Sequence, residues 1–220
     1  MKYLLLLIGL CLCGCTSTIL EVASVPSVSH WEPVPDTKEY TYNKSLDDII
    51  EFSDVNLSLS LTNYETKYRG NAILGIEMNR WPDSQFYDDE IILALGVKPL
   101  KLNVELIANN IALIMKVDGI EQHFKPYRVM KYKRNDSIFC GFDRSIEGER
   151  GTRSVDIADN KESLRLGSEF VDNCYNFYFK FPEKVKDVDF ALDFTGTLLP
   201  LDNHKIIYFH KKLIKWMSSN

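Results

Sequence analysis

The chain has 220 residues, 45% of them hydrophobic and 26% charged, with a formal net charge of -5. That composition excludes collagen-like, disordered and polytopic membrane classes, and the length fits one domain. Acidic residues outnumber basic ones 31 to 26 and no long Lys/Arg run exists, so no nucleic-acid partner is expected. At the N-terminus Lys2 precedes an apolar run from Leu4 to Leu12. Roughly ten apolar residues behind a positive charge fit a secretory signal core. They fall short of the about 20 that a membrane-spanning helix needs.

The run ends in Leu12-Cys13-Gly14-Cys15. An aliphatic residue, a small residue and a cysteine in that spacing resemble the lipobox of bacterial lipoproteins. The resemblance covers only the first 15 residues. It implies a diacylglyceryl group on the Cys15 sulfur, cleavage after Gly14 and acylation of the new N-terminus. Thr16 rather than Asp follows, which in that family points to the outer membrane. Two or more acyl chains hold stably, each buried methylene contributing roughly 0.8 kcal/mol. The expected localisation is thus the bacterial outer membrane, lipid-anchored, with the domain facing the periplasm or exported to the surface. Without residues 1–14 the chain stays acidic, which argues against separate docking on anionic headgroups.

Cysteine usage follows from this reading. Cys11 and Cys13 leave with the signal and Cys15 carries lipid, so Cys140 and Cys174 remain. In an oxidising compartment they are a disulfide candidate; otherwise they pack as small buried thiols.

Residues 15–44 read as the lipidated cysteine and a tether, rich in Ser and Thr and interrupted by Pro26, Pro33 and Pro35. Trp31 and Tyr40 are candidates to pin its later part to a domain spanning 45–220. Ser45-Leu46-Asp47-Asp48 has N-cap spacing, and Leu46, Ile49 and Ile50 predict a short helix over 46–52. The period then becomes two: Val55, Leu57, Leu59 and Leu61 predict a half-buried strand. Strands are predicted at 72–78 and, more fully buried, at 90–97. Leu102, Val104 and Leu106 alternate again, Asn109-Asn110 marks a turn, and 111–117 is the return strand. Asp118-Gly119 is a tight-turn signal. Further strands are predicted at 124–132 and 138–142. Tyr175, Phe177, Phe179 and Phe181 share a face, as do Phe190, Leu192 and Phe194, and 206–209 is a last strand before a short helix at 211–217. Strands at short intervals without alternating helices predict an all-β, antiparallel β-sandwich, immunoglobulin-like in general look, with one or two short helices. The aromatic stripe is its core.

The interruption at 141–170 is a long charged loop, 12 of its 30 residues being charged. Asp159-Asn160-Lys161-Glu162 predicts a short helix ended by Gly167. A long loop on a β scaffold is a contact segment or a solvated insertion, and a Cys140–Cys174 bond would close its base. Among its arginines, Arg150 and Arg153 are candidate partner-binding residues, with Glu147, Glu149 and Asp156 interleaved as neutralising charges. A second candidate surface runs from Asn79 to Tyr87, where Trp81, Phe86 and Tyr87 supply interface-type aromatics. Its plainer reading is that Trp81 and Phe86 cover an open sandwich end.

No metal site or cofactor is expected. His30, His123, His204 and His210 lack zinc-type spacing, and no calcium loop appears. There is no Gly-x-Ser-x-Gly elbow, phosphate-binding loop or His-Glu-x-x-His, so no catalytic residue is assigned and an enzyme is not expected. The sequence thus points to a membrane-anchored envelope lipoprotein that binds or helps assemble another envelope protein. The alternatives are a small-ligand or glycan-binding lipoprotein and, less favoured, a hydrolase with dispersed carboxylates.

Overall fold

Alternating apolar residues with frequent β-branched and aromatic side chains favour pleated strands over helices, and strands dominate the computed structural model. It describes residues 15–29, 40–41, 49–62, 65–73, 76–81, 84–85, 89–117, 119–132, 140, 153–155, 163–168, 173–181, 189–201 and 206–219. The chain opens with β1 (Cys15–Ser27), β2 (Tyr40–Thr41), β3 (Ile49–Glu51) and β4 (Val55–Leu61). β5 (Glu65–Ile73), β6 (Ile76–Trp81), β7 (Ser84–Gln85) and β8 (Glu90–Pro99) follow. β9 (Glu105–Ile107) passes through a 3-10 turn, Ala108–Asn110, into β10 (Ala112–Val117) and β11 (Ile120–Phe124). Then come β12 (Arg128–Tyr132), β13 (Arg153–Val155), β14 (Ser163–Arg165) and β15 (Cys174–Lys180). The last are β16 (Asp189–Asp193), β17 (Leu198–Leu199) and β18 (Ile206–Ser219).

Among the described residues these strands form three sheets. A long sheet has the order β11-β10-β16-β18-β1-β5-β6, with β2 beside β18 and β7 beside β5. The facing sheet has the order β13-β12-β15-β8-β4-β3, and a small sheet the order β14-β9-β17. Neighbours are antiparallel except the short β2–β18 pair. The architecture is an all-β sandwich of antiparallel sheets.

The core lies between the two larger sheets. Leu113 and Met115 of β10, Phe190 and Leu192 of β16, and Ile207 and Phe209 of β18 come from the long sheet. They pack in one cluster with Leu57 and Leu59 of β4, Leu93 and Leu95 of β8, and Tyr175, Phe177 and Phe179 of β15. The aromatic stripe is therefore core, as its spacing predicts. The small sheet caps this core with one row: Leu164, Leu106 and Leu198 sit in register across its strands and are all buried. β8 is buried on both faces, and Ile92 on its other face packs with Met130 and Tyr178.

Several expectations are corrected. Residues 15–27 are not a tether: β1 pairs with β18 over twelve positions, from Thr16↔Ser219 to Ser27↔Tyr208, and its other edge takes β5. Pro26 is tolerated because it falls beyond Val22, the last residue paired to β5, where one side of β1 has no partner strand among the described residues. Tyr40 pairs with Ile214, whereas Trp31 lies outside the described residues. The predicted helix over 46–52 is strand β3 where it is described, with Ile50 buried against β4. The predicted helix at 211–217 is the second half of β18. A helix of seven residues is marginal alone, while the β1 ladder supplies hydrogen bonds along its whole length. The strand predicted at 72–78 is the β5–β6 hairpin, with Ile73 opposite Ile76. The strand predicted at 124–132 is broken by Pro126 between β11 and β12. Of 138–142, only Cys140 is described, and it is not in a strand.

Candidate functional site

Cys15 is the first residue of β1, opposite Ile73 of β5, and residues 1–14 lie outside the described residues. β1 leads from Cys15 to Ser27, which lies opposite Tyr208 near the start of β18. That start pairs Ile206 with Asp193, the end of β16. β16 continues into Thr197, whose carbonyl accepts the Ile107 N–H, and Asn110 Nδ2 donates to Gly196 O at 2.6 Å. The small sheet and the loop leading into it thus stand at the end of the sandwich away from Cys15.

That loop, residues 100–103, joins β8 to β9 and is firmly held. Leu100 N–H donates to Asp54 O at 2.9 Å, and Lys101 Nζ lies 4.0 Å from the buried Asp54 carboxylate. Arg165 Nη2 donates to Asn103 Oδ1 at 3.2 Å, and Leu166 N–H to Val104 O at 3.1 Å. The loop nevertheless exposes two leucines, Leu100 at 51% and Leu102 at 89%. The alternation of Leu102, Val104 and Leu106 does not put them on one face. Asn103 adopts a left-handed conformation, φ 61°, which turns Leu102 out while Val104 and Leu106 stay buried. Leu199, beside Glu105 on the small sheet, is also exposed.

Of the candidate partner-binding residues, the two described ones, Trp81 and Arg153, lie on different sheets. Trp81 ends β6, the terminal strand of the long sheet, opposite Arg69. Arg153 begins β13, the terminal strand of the facing sheet, opposite Lys131. Phe86, Tyr87 and Arg150 lie outside the described residues. The charged interruption at 141–170 is more than a solvated loop. It supplies β13 and β14, and Val155 and Leu164 are buried in the core. The expected helix ended by Gly167 is replaced, where described, by β14 and a bend held by Asn173. Cys140 and Cys174 form a disulfide, with 5.4 Å between Cα atoms. It packs with Tyr132 on the face of the sheet away from the inter-sheet core.

Two polar arrangements carry no clear sequence signal. Asn173 is fully buried; its Nδ2 donates to Val97 O and Gly167 O, and its Oδ1 accepts the Gly167 N–H. It ties β8 and the 166–168 bend to the start of β15. On the facing sheet, the Tyr127 hydroxyl donates to Glu90 Oε2, and the Arg128 guanidinium lies 5.1 Å from the centre of the Tyr178 ring. Desolvation, then the Glu90 hydrogen bond and charge, push the Tyr127 phenol up to about 12. A phenol held neutral so far above neutral pH positions a side chain rather than moving a proton.

Among the described residues no group of three or more His, Cys, Asp or Glu is placed to hold a metal ion. No helix among them is long and apolar enough to cross a membrane. The molecule thus belongs to the all-β class. No family model, no curated protein and no solved structure matches this chain.

Proposed function

We propose that the chain is a lipid-anchored envelope lipoprotein of the outer membrane, whose β-sandwich is a non-catalytic binding or assembly module for another envelope protein. The lipobox-like Leu12-Cys13-Gly14-Cys15 supports the anchor. The observation that carries the binding role is the fastened loop 100–103, which displays Leu100 and Leu102. A single exposed leucine is ordinary. Two of them on a loop tied to Asp54 and Arg165, with Leu199 also exposed on the adjoining small sheet, are apolar surface that a partner pocket would desolvate. Trp81, Phe86 and Tyr87, with Arg150 and Arg153, remain candidates for a second contact.

Crosslinked capture from native envelopes tests the reading, comparing wild type, Cys15→Ala and Leu102→Asp. One protein recovered with wild type and lost at least tenfold with Leu102→Asp, at an unchanged thermal midpoint, supports it. Equal recovery with Leu102→Asp moves the contact elsewhere. Recovery of no specific protein overturns the module and favours a small-ligand or glycan binder. Failure of Cys15→Ala to leave the membrane fraction overturns the anchor.

A further inference from the structure

The second surface is a bare sheet edge. Among the described residues β11 is the terminal strand of the long sheet, bonded only to β10. Ile120, Glu121, Gln122 and His123 are all exposed, Ile120 to 66%. An open edge offers unpaired N–H and C=O groups to another strand.

The hairpin fixes which residues offer them. Val117 pairs with Ile120 across a two-residue turn in which Gly119 has φ 81°. The pair flanking such a turn is hydrogen-bonded, and bonded pairs alternate with non-bonded ones along the ladder. Gln122 and Phe124 therefore bond inward to Met115 and Leu113. Glu121 and His123, opposite Lys116 and Ile114, direct their N–H and C=O groups to the open edge.

We propose that this edge pairs with the same edge of a second copy of the chain, antiparallel and two-fold symmetric about Gln122. In that register Glu121 meets His123 of the other copy twice, and these outward-facing residues exchange four main-chain hydrogen bonds. A carboxylate faces an imidazole across the ladder on one face, a pair that can hydrogen-bond. On the other face Ile120 meets Phe124 and Gln122 meets Gln122. The neighbouring registers with correct bonding parity are worse. Centring on Glu121 sets two carboxylates opposite each other. Centring on His123 sets two imidazoles opposite and recruits Lys125, which lies past the strand with its ammonium on the carbonyls of Asn109 and Asn110. An edge of five residues covers far less than the about 800 Å² per partner of a standard interface, so the pair is transient in solution.

Disulfide trapping in the full chain tests this, with the wild type controlling for the native cysteines. Gln122 stands across from itself in a non-bonded pair, where Cα atoms are about 4.5 Å apart, inside the disulfide range. Glu121 and its symmetry mate, like His123 and its mate, are about 8 Å apart, outside it. Under mild oxidant, Gln122→Cys gives at least tenfold more linked dimer than Glu121→Cys or His123→Cys. Adding Glu121→Lys to Gln122→Cys lowers the yield severalfold, and adding His123→Glu as well restores it. No linked dimer with Gln122→Cys, equal yields at the three positions, or no rescue by the reversed pair each overturns the proposal. The substituted positions are exposed, and an unchanged thermal midpoint checks that each variant is folded.

Discussion

Asn173 shows how much one buried side chain can hold. Its amide satisfies the Val97 and Gly167 carbonyls and the Gly167 N–H, joining β8 to the 166–168 bend and the start of β15. Asn173→Ala strips partners from buried polar groups and is expected to cost about 2–4 kcal/mol, read as a lower midpoint in denaturant. Asn173→Asp, of the same shape, sets an acceptor against two carbonyl oxygens and is tolerated no better. Tyr127 makes a pH prediction. Its folded pKa, about 12, lies above the ordinary 10, so folding favours the neutral phenol. The stability this contributes is fully present below pH 10 and is lost as pH rises through about 12. Tyr127 is 51% exposed, so solvent screens the interaction with Glu90 and the effect on stability is small. Ultraviolet titration of wild type minus Tyr127→Phe isolates this phenol, and Glu90→Gln brings its midpoint down towards the ordinary value.

At the scale of elements, legibility followed how much a segment's own pattern decided its structure. β4, β8, β15 and β16 stand near their expected places, because alternation or continuous burial against a facing sheet leaves them no other register. Short patterns misled. Leu46, Ile49 and Ile50 satisfy a helix face, yet pairing of Ile50 with Leu57 makes 49–51 a strand. Lys211, Lys212 and Lys215 are good helix formers, and the β1 ladder overrides them. The Ser/Thr-rich segment after Cys15 reads as a linker by composition, and the ladders to β18 and β5 make it a strand. The site was less legible than the fold. Residue type alone marks Trp81 and Arg153 as contact candidates, and the fold places them on terminal strands of different sheets. The exposed leucines were missed because Leu102 continues an apolar alternation that a left-handed Asn103 interrupts. The β11 edge was missed because an outward pair such as Glu121 and His123 acquires meaning only once hairpin register is known.

At the scale of the whole molecule, β1 would turn the proposed anchoring point into an orientation. With Cys15 carrying the lipid, as proposed, no flexible spacer separates the anchor from the sheet, because β1 starts at that residue. The 13 residues of β1 then span about 40 Å before reaching the end of the sandwich where β18 begins. Loop 100–103 stands at that end, through the chain of pairings from Tyr208 to Asp193, Thr197 and Ile107. On that proposal the anchor would hold the sandwich with Leu100 and Leu102 at the end away from the bilayer. Donor fluorophores at Thr18→Cys and Leu102→Cys, in separate full-length chains reconstituted into vesicles with a headgroup-bound acceptor, measure this directly. Energy transfer is expected to be strong from position 18, three residues from the anchor, and several-fold weaker from position 102. Equal transfer from both would lay the sandwich flat on the membrane. The exposed leucines would then face lipid, and the partner-facing role assigned to them would fall.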